Sequence, residues 1–452
     1  MNPTFIKRLA AATLAGTWLL TPSFAADQGR EVDQAPAVVE LRERPAVVNP
    51  IVADRLANLL PRLMEETGID LWLVLNREYA EDPVYFTLVP QPSFAARRTT
   101  MLLFHRQDDG SVQPISINRY PLGDPYETEW EGGELEQQWK ALGEKIAELD
   151  PETIGINTSR TWPEADGLTE GLHRRLLEVL PDGFEDRLVP AEELVVRWFE
   201  TRTPDELELY AHVVSLARAV LAEGFSNRVI TPGVTTTDDV AWFLRTRFAE
   251  RGLDVWFQPY VNIQRPGAEC NADTDFCGVD GVIRRGDVLH TDVGICYFKL
   301  CTDTQEMGYV LELGEHDAPQ PLKDALAEGN RWQDLFTGEF VTGRTGNEIL
   351  SAAYDVMEDE SWTANIYTHP IGFVGHAPGP TIGMWDKPAA IQNTGDWPLH
   401  PNTAYAIEGS IKLRYQPWDD QHLQIKLEQS AYFDGERIVY LAGRQTKWHL
   451  IR

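Results

Sequence analysis

The sequence predicts an α/β domain followed by a second domain built from two similar halves, each running from a capped helix to a strand that bears an acid. Three observations predict it. Strand-like and helical apolar patterns alternate up to about residue 195. The run Thr203-Pro204-Asp205-Glu206 opens a new helix, and the stretches 232–240 and 342–350 share one pattern.

Composition sets the outer limits. The 452 residues are 43% hydrophobic with 34 Gly and 29 Pro, which is ordinary for a globular protein and neither collagenous nor disordered. That length allows more than one domain and a sizeable core. The 70 acidic against 40 basic residues leave a formal charge of −30. This argues against a nucleic-acid binder or an adherent of anionic lipid, since both need clustered Lys and Arg.

Lys7 and Arg8 precede the apolar stretch Leu9 to Leu20, followed by Thr21, Pro22 and the small-residue end Ser23-Phe24-Ala25. A positive start, a short apolar run and an A-x-A-like end predict a secretory signal over 1–25, cut after Ala25. The run is short for a bilayer, Pro22 breaks it and no second one follows, so no stable membrane insertion is expected. The expected location is periplasmic or secreted. There, Cys270, Cys277, Cys296 and Cys301 meet an oxidising compartment. Their C-x6-C and C-x4-C spacings make poor zinc knuckles. Of three possible pairings, Cys270–Cys277 with Cys296–Cys301 is preferred, and buried free thiols are the alternative.

After a Pro-rich lead, Ile51 to Thr67 reads as an amphipathic helix. Leu71 to Leu75, Met101 to Phe104, Pro114 to Ile117 and Thr153 to Asn157 read as strands, with helices over Glu134 to Leu149 and Gly167 to Leu180. Thr203 is a good N-cap, Pro204 suits the first turn, and Glu206 can close a capping box. The helix continues through Leu207, Tyr210, Val214, Ala217 and Leu221. Both later stretches hold a Gly turn, a Thr cap, an acid three residues on and an apolar helix. The division expected is 1–25 signal, 26–198 N-terminal domain and 199–452 catalytic domain.

The second domain carries the chemistry. Val288 to Gly294 and Cys301 to Gln305 read as strands around a short turn, which points Asp292 and Asp303 to one face. Two acids on one face among Val288, Leu289 and Val293 need a cation between them, or water. The strand Thr403 to Glu408 puts Glu408 beside the small residues Ala404 and Ala406. Leu423 to Glu428 alternates, with Gln424, Lys426 and Glu428 on its polar face. Between them lie His369 and His376, seven apart, with Gly372 permitting close backbone approach. Four carboxylates and one imidazole make an oxygen-rich site for manganese, cobalt, iron or zinc. Five donors suggest two ions sharing carboxylates.

The order Asp, eleven residues on Asp, then His369 and His376 around a Gly, then two separated Glu resembles the pita-bread metallopeptidases. The resemblance covers about 200–452, and the preceding domain resembles the creatinase-type N-terminal domain. It implies an α+β pita-bread domain with pseudo-twofold halves around a mixed or antiparallel sheet. It also implies a dinuclear exopeptidase that takes N-terminal residues from peptides, nearest to a secreted Xaa-Pro aminopeptidase, and a homodimer. Asp292, Asp303 and Glu428 would hold one divalent ion, and Asp303, His369, Glu408 and Glu428 the other, manganese being the first choice. A bridging hydroxide would attack the scissile carbonyl, Glu408 would shuttle the proton, and His376 would hydrogen-bond the substrate. The alternatives are a prolidase-like dipeptidase, another metal-dependent hydrolase, or a non-catalytic binding module.

Three positions depart from the family. No histidine occurs in 255–280, Gln305-Glu306 replaces Thr-Arg, and Lys426 replaces an Arg. Lys keeps the charge without the bidentate fork. His290 shares a strand face with Asp292 and is read as a packed histidine, with a supporting role or substitution for the missing one as alternatives. Lys426 is weighed as a neighbour of the site, and Trp385, Trp397 and Trp418 as cleft-lining or core residues. His105, His173, His212, His316, His400, His422 and His449 are read as structural or exposed.

Overall fold

Alternating apolar residues in the first half build a sheet covered on both faces. The structure, a computed structural model, describes residues 36–130, 132–268 and 280–452. The expected signal, Cys270 and Cys277 lie outside the described residues. The chain opens with α1 (Pro45–Asp54), a π-helical turn (Arg55–Leu59) and α2 (Leu60–Thr67), so the expected helix starts six residues earlier than read, with Pro45 in its first turn. The strands β1 (Leu71–Arg77), β2 (Thr99–Arg106), β3 (Val112–Asn118) and β4 (Glu127–Thr128) follow, then α3 (Leu135–Leu149). Then come β5 (Ile154–Ile156), α4 (Glu170–Val179), β6 (Leu188–Pro190) and α5 (Glu192–Glu200). The strand order is β4-β3-β2-β1-β5-β6. In β1, Trp72 and Val74 join one core while Leu71, Leu73 and Leu75 join the core under α3 and α4, a period-two pattern with apolar residues on both faces. Short strands β4 and β6 have too few residues to leave that pattern and were not expected.

Helix α5 spans the expected boundary at 198/199, and the described residues fall in one compact unit. Helix α6 (Pro204–Gly224) starts as expected: Glu206 N donates to Thr203 Oγ1 at 3.3 Å, and Thr203 N donates back to Glu206 Oε2 at 2.8 Å. The same Glu206 accepts from Arg55 at 2.7 Å and Arg202 at 3.0 Å, all buried, and so ties the first helix to α6. Burial lowers the Arg55 pKa to about 10, against the pull of Glu206.

The second half unfolds as α7 (Thr237–Glu250), β7 (Asp254–Val255), β8 (Tyr260–Gln264) and β9 (Val288–Val293), then the hairpin β10 (Ile295–Tyr297) and β11 (Leu300–Cys301). It continues with β12 (Thr304–Val310), α8 (Gln320–Thr337), α9 (Gly346–Val356), β13 (Thr363–Ile366) and β14 (His369–Pro370). The long pair β15 (Thr403–Tyr415) and β16 (Gln421–Phe433) precedes β17 (Ile438–Tyr440) and β18 (His449–Ile451). The two matching stretches are both capped helices: Thr236 with Asp239 opens α7 and Thr345 with Glu348 opens α9, each a complete capping box. The main sheet runs β13-β15-β16-β12-β9-β8, antiparallel throughout, with β18 added parallel to β12. Tyr405, Ile407, Ile411, Leu423, Ile425 and Leu427 pack with α8 and α9. Alternation therefore turns the even-numbered residues of β15 and β16 to the other face, where the acids are. No described helix is long and apolar enough to cross a membrane.

Candidate metal centre

Strand register assembles the site. Tyr260 on β8 stands opposite Asp292 on β9, and Asp292 opposite Gln305 on β12. Gln305 stands opposite Glu428 on β16, and Glu428 opposite Glu408 on β15. Directly opposed residues share a face, so five strands aim this row at one point. The neighbouring row holds Ser430 opposite Ala406 and Ala406 opposite His369. Those small side chains leave the space into which His369 and Asp303 project. Asp303 joins through its backbone oxygen, which accepts from Ser430 Oγ at 3.0 Å.

The expected short turn between Asp292 and Asp303 is corrected here. Thr304 pairs with Val293, so ten residues intervene, and the β10–β11 hairpin occupies most of them. Phe298 and Lys299 at its tip both have positive φ, 54° and 63°, the two-residue turn that suits a twisted hairpin. The residue opposite Asp292 is accordingly Gln305 rather than Asp303. Parity still holds the two acids on one face. Cys296 and Cys301 are directly opposed and disulfide-bonded across this hairpin.

His369 Nδ1 lies 3.0 Å from the Pro370 carbonyl, which can only accept. The ring proton therefore sits on Nδ1, and the bare Nε2 faces three acids: Asp303 Oδ2 at 3.6 Å, Glu408 Oε2 at 3.7 Å and Glu428 Oε1 at 3.8 Å. Thr368, one residue earlier, clamps the Glu408 backbone, donating to its oxygen at 2.8 Å and accepting from its N–H at 2.9 Å. Three overlapping sets of donor atoms each fall within 4.8 Å: Asp292, Asp303 and Glu428; His369, Glu408 and Glu428; and Asp303, His369 and His376.

The sequence profile of metallopeptidase family M24 matches residues 208–432. That places the chain in metallopeptidase family M24. The fold agrees. An X-Pro aminopeptidase from Thermotoga maritima superposes with a TM-score of 0.61 at 20% identity, over 86% of this chain and 99% of that one. A Xaa-Pro dipeptidase from Bacillus anthracis gives 0.58 at 18% identity, over 87% and 98%. The prolidase from Pyrococcus horikoshii gives 0.54 at 14% identity, over 85% and 97%. At these identities the likeness is one of fold. No curated protein matches the sequence.

The donor set of this M24 metallopeptidase has the chemistry a divalent cation needs. Among the described residues, neither oxygen of the fully buried Glu428 has a hydrogen-bond partner, and neither do Asp292 Oδ1 and His369 Nε2. Buried charges without partners are costly, and here all of them converge on one spot. Burial pushes the Asp303 carboxyl up to about 8. Burial and the neighbouring acids push Asp292, Glu408 and Glu428 well above the carboxylate range. Burial lowers His369 to about 4, keeping it a neutral donor.

The structure brings all five expected ligand residues together, and His376 with them. His376 is exposed at the rim, its ring 4.5 Å from His369 and 5.0 Å from Trp256. Desolvation, then the adjacent His369, lowers its pKa to about 4. His290 is buried and contacts Gln305 Oε1 at 2.8 Å, one residue removed from the acids. Lys426 is buried near enough that its charge lowers Asp292 and Glu408. Trp397 packs on Trp162 and Trp418 on Tyr415, while Trp385 is exposed. The indole beside the cluster is Trp256, whose Nε1 donates to Thr302 O at 2.9 Å. A Cβ at Gly294 or Gly375 would overlap it, so both glycines are needed for the close approach. Of the histidines read as structural or exposed, His449 holds the buried Glu306 together with Arg218. Sequence reasoning missed Tyr260 and Trp256 because their partners lie more than thirty residues away, at Asp292 and Thr302.

Proposed function

We propose that this M24 metallopeptidase is an exported dinuclear exopeptidase that removes the N-terminal residue from Xaa-Pro peptides. The observation that carries the reading is the convergence of five donors on one sheet face, with buried oxygens that no group among the described residues satisfies. Asp292, Asp303 and Glu428 would hold one cation, and Asp303, His369, Glu408 and Glu428 the other. A pair of divalent ions there, manganese first, supplies Lewis acidity that polarises a carbonyl and lowers the pKa of water. Glu408 reaches the cluster with Oε2 and serves as the carrier that takes a proton and returns it to the leaving amine. His376, neutral at pH 7 and exposed beside the Trp256 wall, hydrogen-bonds the peptide.

The signal-like N-terminus supports export, and a homodimer belongs to the same proposal, for which sedimentation velocity is the test. Lys426 in place of a bidentate Arg supports a second reading, a prolidase-like dipeptidase. Mature protein, stripped by chelator and reloaded with Mn2+ or Co2+, should release the first residue from Xaa-Pro-Xaa tripeptides. Cleavage of Xaa-Pro dipeptides with refusal of tripeptides would assign the second reading. Two bound ions with no cleavage of either at neutral pH would overturn both.

A further inference from the structure

We propose that Gln305 is a positioning residue for Glu408: its side-chain amide, steered by the buried ring of His290, holds Glu408 Oε1 and leaves Oε2 to the donor cluster. The inference rests on the reading of Glu408 as cation ligand and proton carrier, and concerns a position where the chain departs from the family pattern. Gln305 sits at the centre of the ligand row, between Asp292 and Glu428. Glu408 is two strands away, across β16, so only two long side chains leaning together can meet over Glu428. A hydroxyl such as that of Thr is too short for this. The amide is also neutral, so it brings a donor among four acids without a positive charge that would compete with a cation.

The orientation of the amide follows from its second partner. Gln305 Nε2 donates to Glu408 Oε1, so Gln305 Oε1 must point to His290 Nε2, 2.8 Å away. A carbonyl oxygen only accepts, so the His290 proton sits on Nε2. With Glu408 ionised, as a cation ligand must be, the other tautomer would turn the amide and set its oxygen against the carboxylate. His290 Nδ1 is then bare, consistent with its being buried without a partner among the described residues. The chain His290 to Gln305 to Glu408 has one consistent proton arrangement, which fixes how Glu408 presents itself.

The test is a double-mutant cycle with two readouts, peptidase kinetics and calorimetric titration of chelator-stripped protein with Mn2+. Gln305→Leu and His290→Phe should each lower kcat roughly tenfold or more with KM within about threefold, and should each weaken Mn2+ binding several-fold. The double variant should be no worse than Gln305→Leu alone, because both act through one hydrogen-bonded chain. His290→Gln, which keeps an N–H donor, should recover most of both readouts. Additive losses in the double variant, or wild-type behaviour of His290→Phe in both readouts, would overturn the proposal. If the wild-type protein cleaves no peptide, the functional reading fails, while the Mn2+ titrations still decide whether Gln305 and His290 act as a unit.

Discussion

Glu408 and Glu428 face each other directly across β15 and β16, a pairing that destabilises a sheet unless something positive lies between them. The chain tolerates it beside Asp292 and Asp303, so the metal-free protein carries stored repulsion. Glu408→Gln keeps the shape and removes one charge. Its kcat should fall by about 10²–10⁴-fold, the range a positioned proton carrier contributes. The melting temperature of the chelated variant should hold or rise above that of chelated wild type. A fall in both would make Glu408 a structural residue. The acids and His369 were legible as residue types in a familiar order. Gln305 was legible only as a departure, because its role depends on a carboxylate 103 residues away.

At the scale of elements, the β10–β11 hairpin and the Trp256 wall shape the connection between Asp292 and Asp303. The disulfide Cys296–Cys301 closes a loop of sequence separation 5 just before Asp303. Replacing both cysteines by serine should cost about 2 kcal/mol from lost loop constraint, measured by urea unfolding, with weaker Mn2+ binding as the second readout. Unchanged stability would show that packing alone holds the hairpin. Gly375→Ala forces a methyl into the Trp256 indole and should cost about 1–3 kcal/mol in the same measurement. Capped helices were read to within a few residues, since Thr203, Thr236 and Thr345 and their acids interact within one turn. Strands β4 and β6 were not, because two or three residues carry no period of their own.

For the whole molecule, the raised carboxyl pKa values link stability to pH. An acid whose folded pKa lies above its unfolded value binds more protons in the folded state, so stability falls as pH rises between the two values. For Asp303 that window runs from the ordinary 3.8 to about 8, and Asp292, Glu408 and Glu428 shift in the same direction. Chelated protein should therefore lose melting temperature steadily from pH 5 to pH 8. Saturating Mn2+ should restore it, with the larger gain at pH 8, because bound cation favours the folded, ionised cluster. An equal gain at both pH values would contradict the coupling of these acids to a cation.

The sequence by itself determined the classes of residue available for chemistry, the helix starts and the alternation of the long strands, because caps and periodicities are local. It also carried the ordered set of acids and histidines on which the family resemblance stands. Only the tertiary structure decided which acids oppose each other, that a stapled hairpin fills the space between Asp292 and Asp303, and that Trp256, Tyr260 and Gln305 surround the cluster. The physical reason is register. A strand's own residues specify which faces they point to, but the partner residue across the sheet is chosen by the packing of the whole molecule, and a site spread over five strands exists only once every register is set.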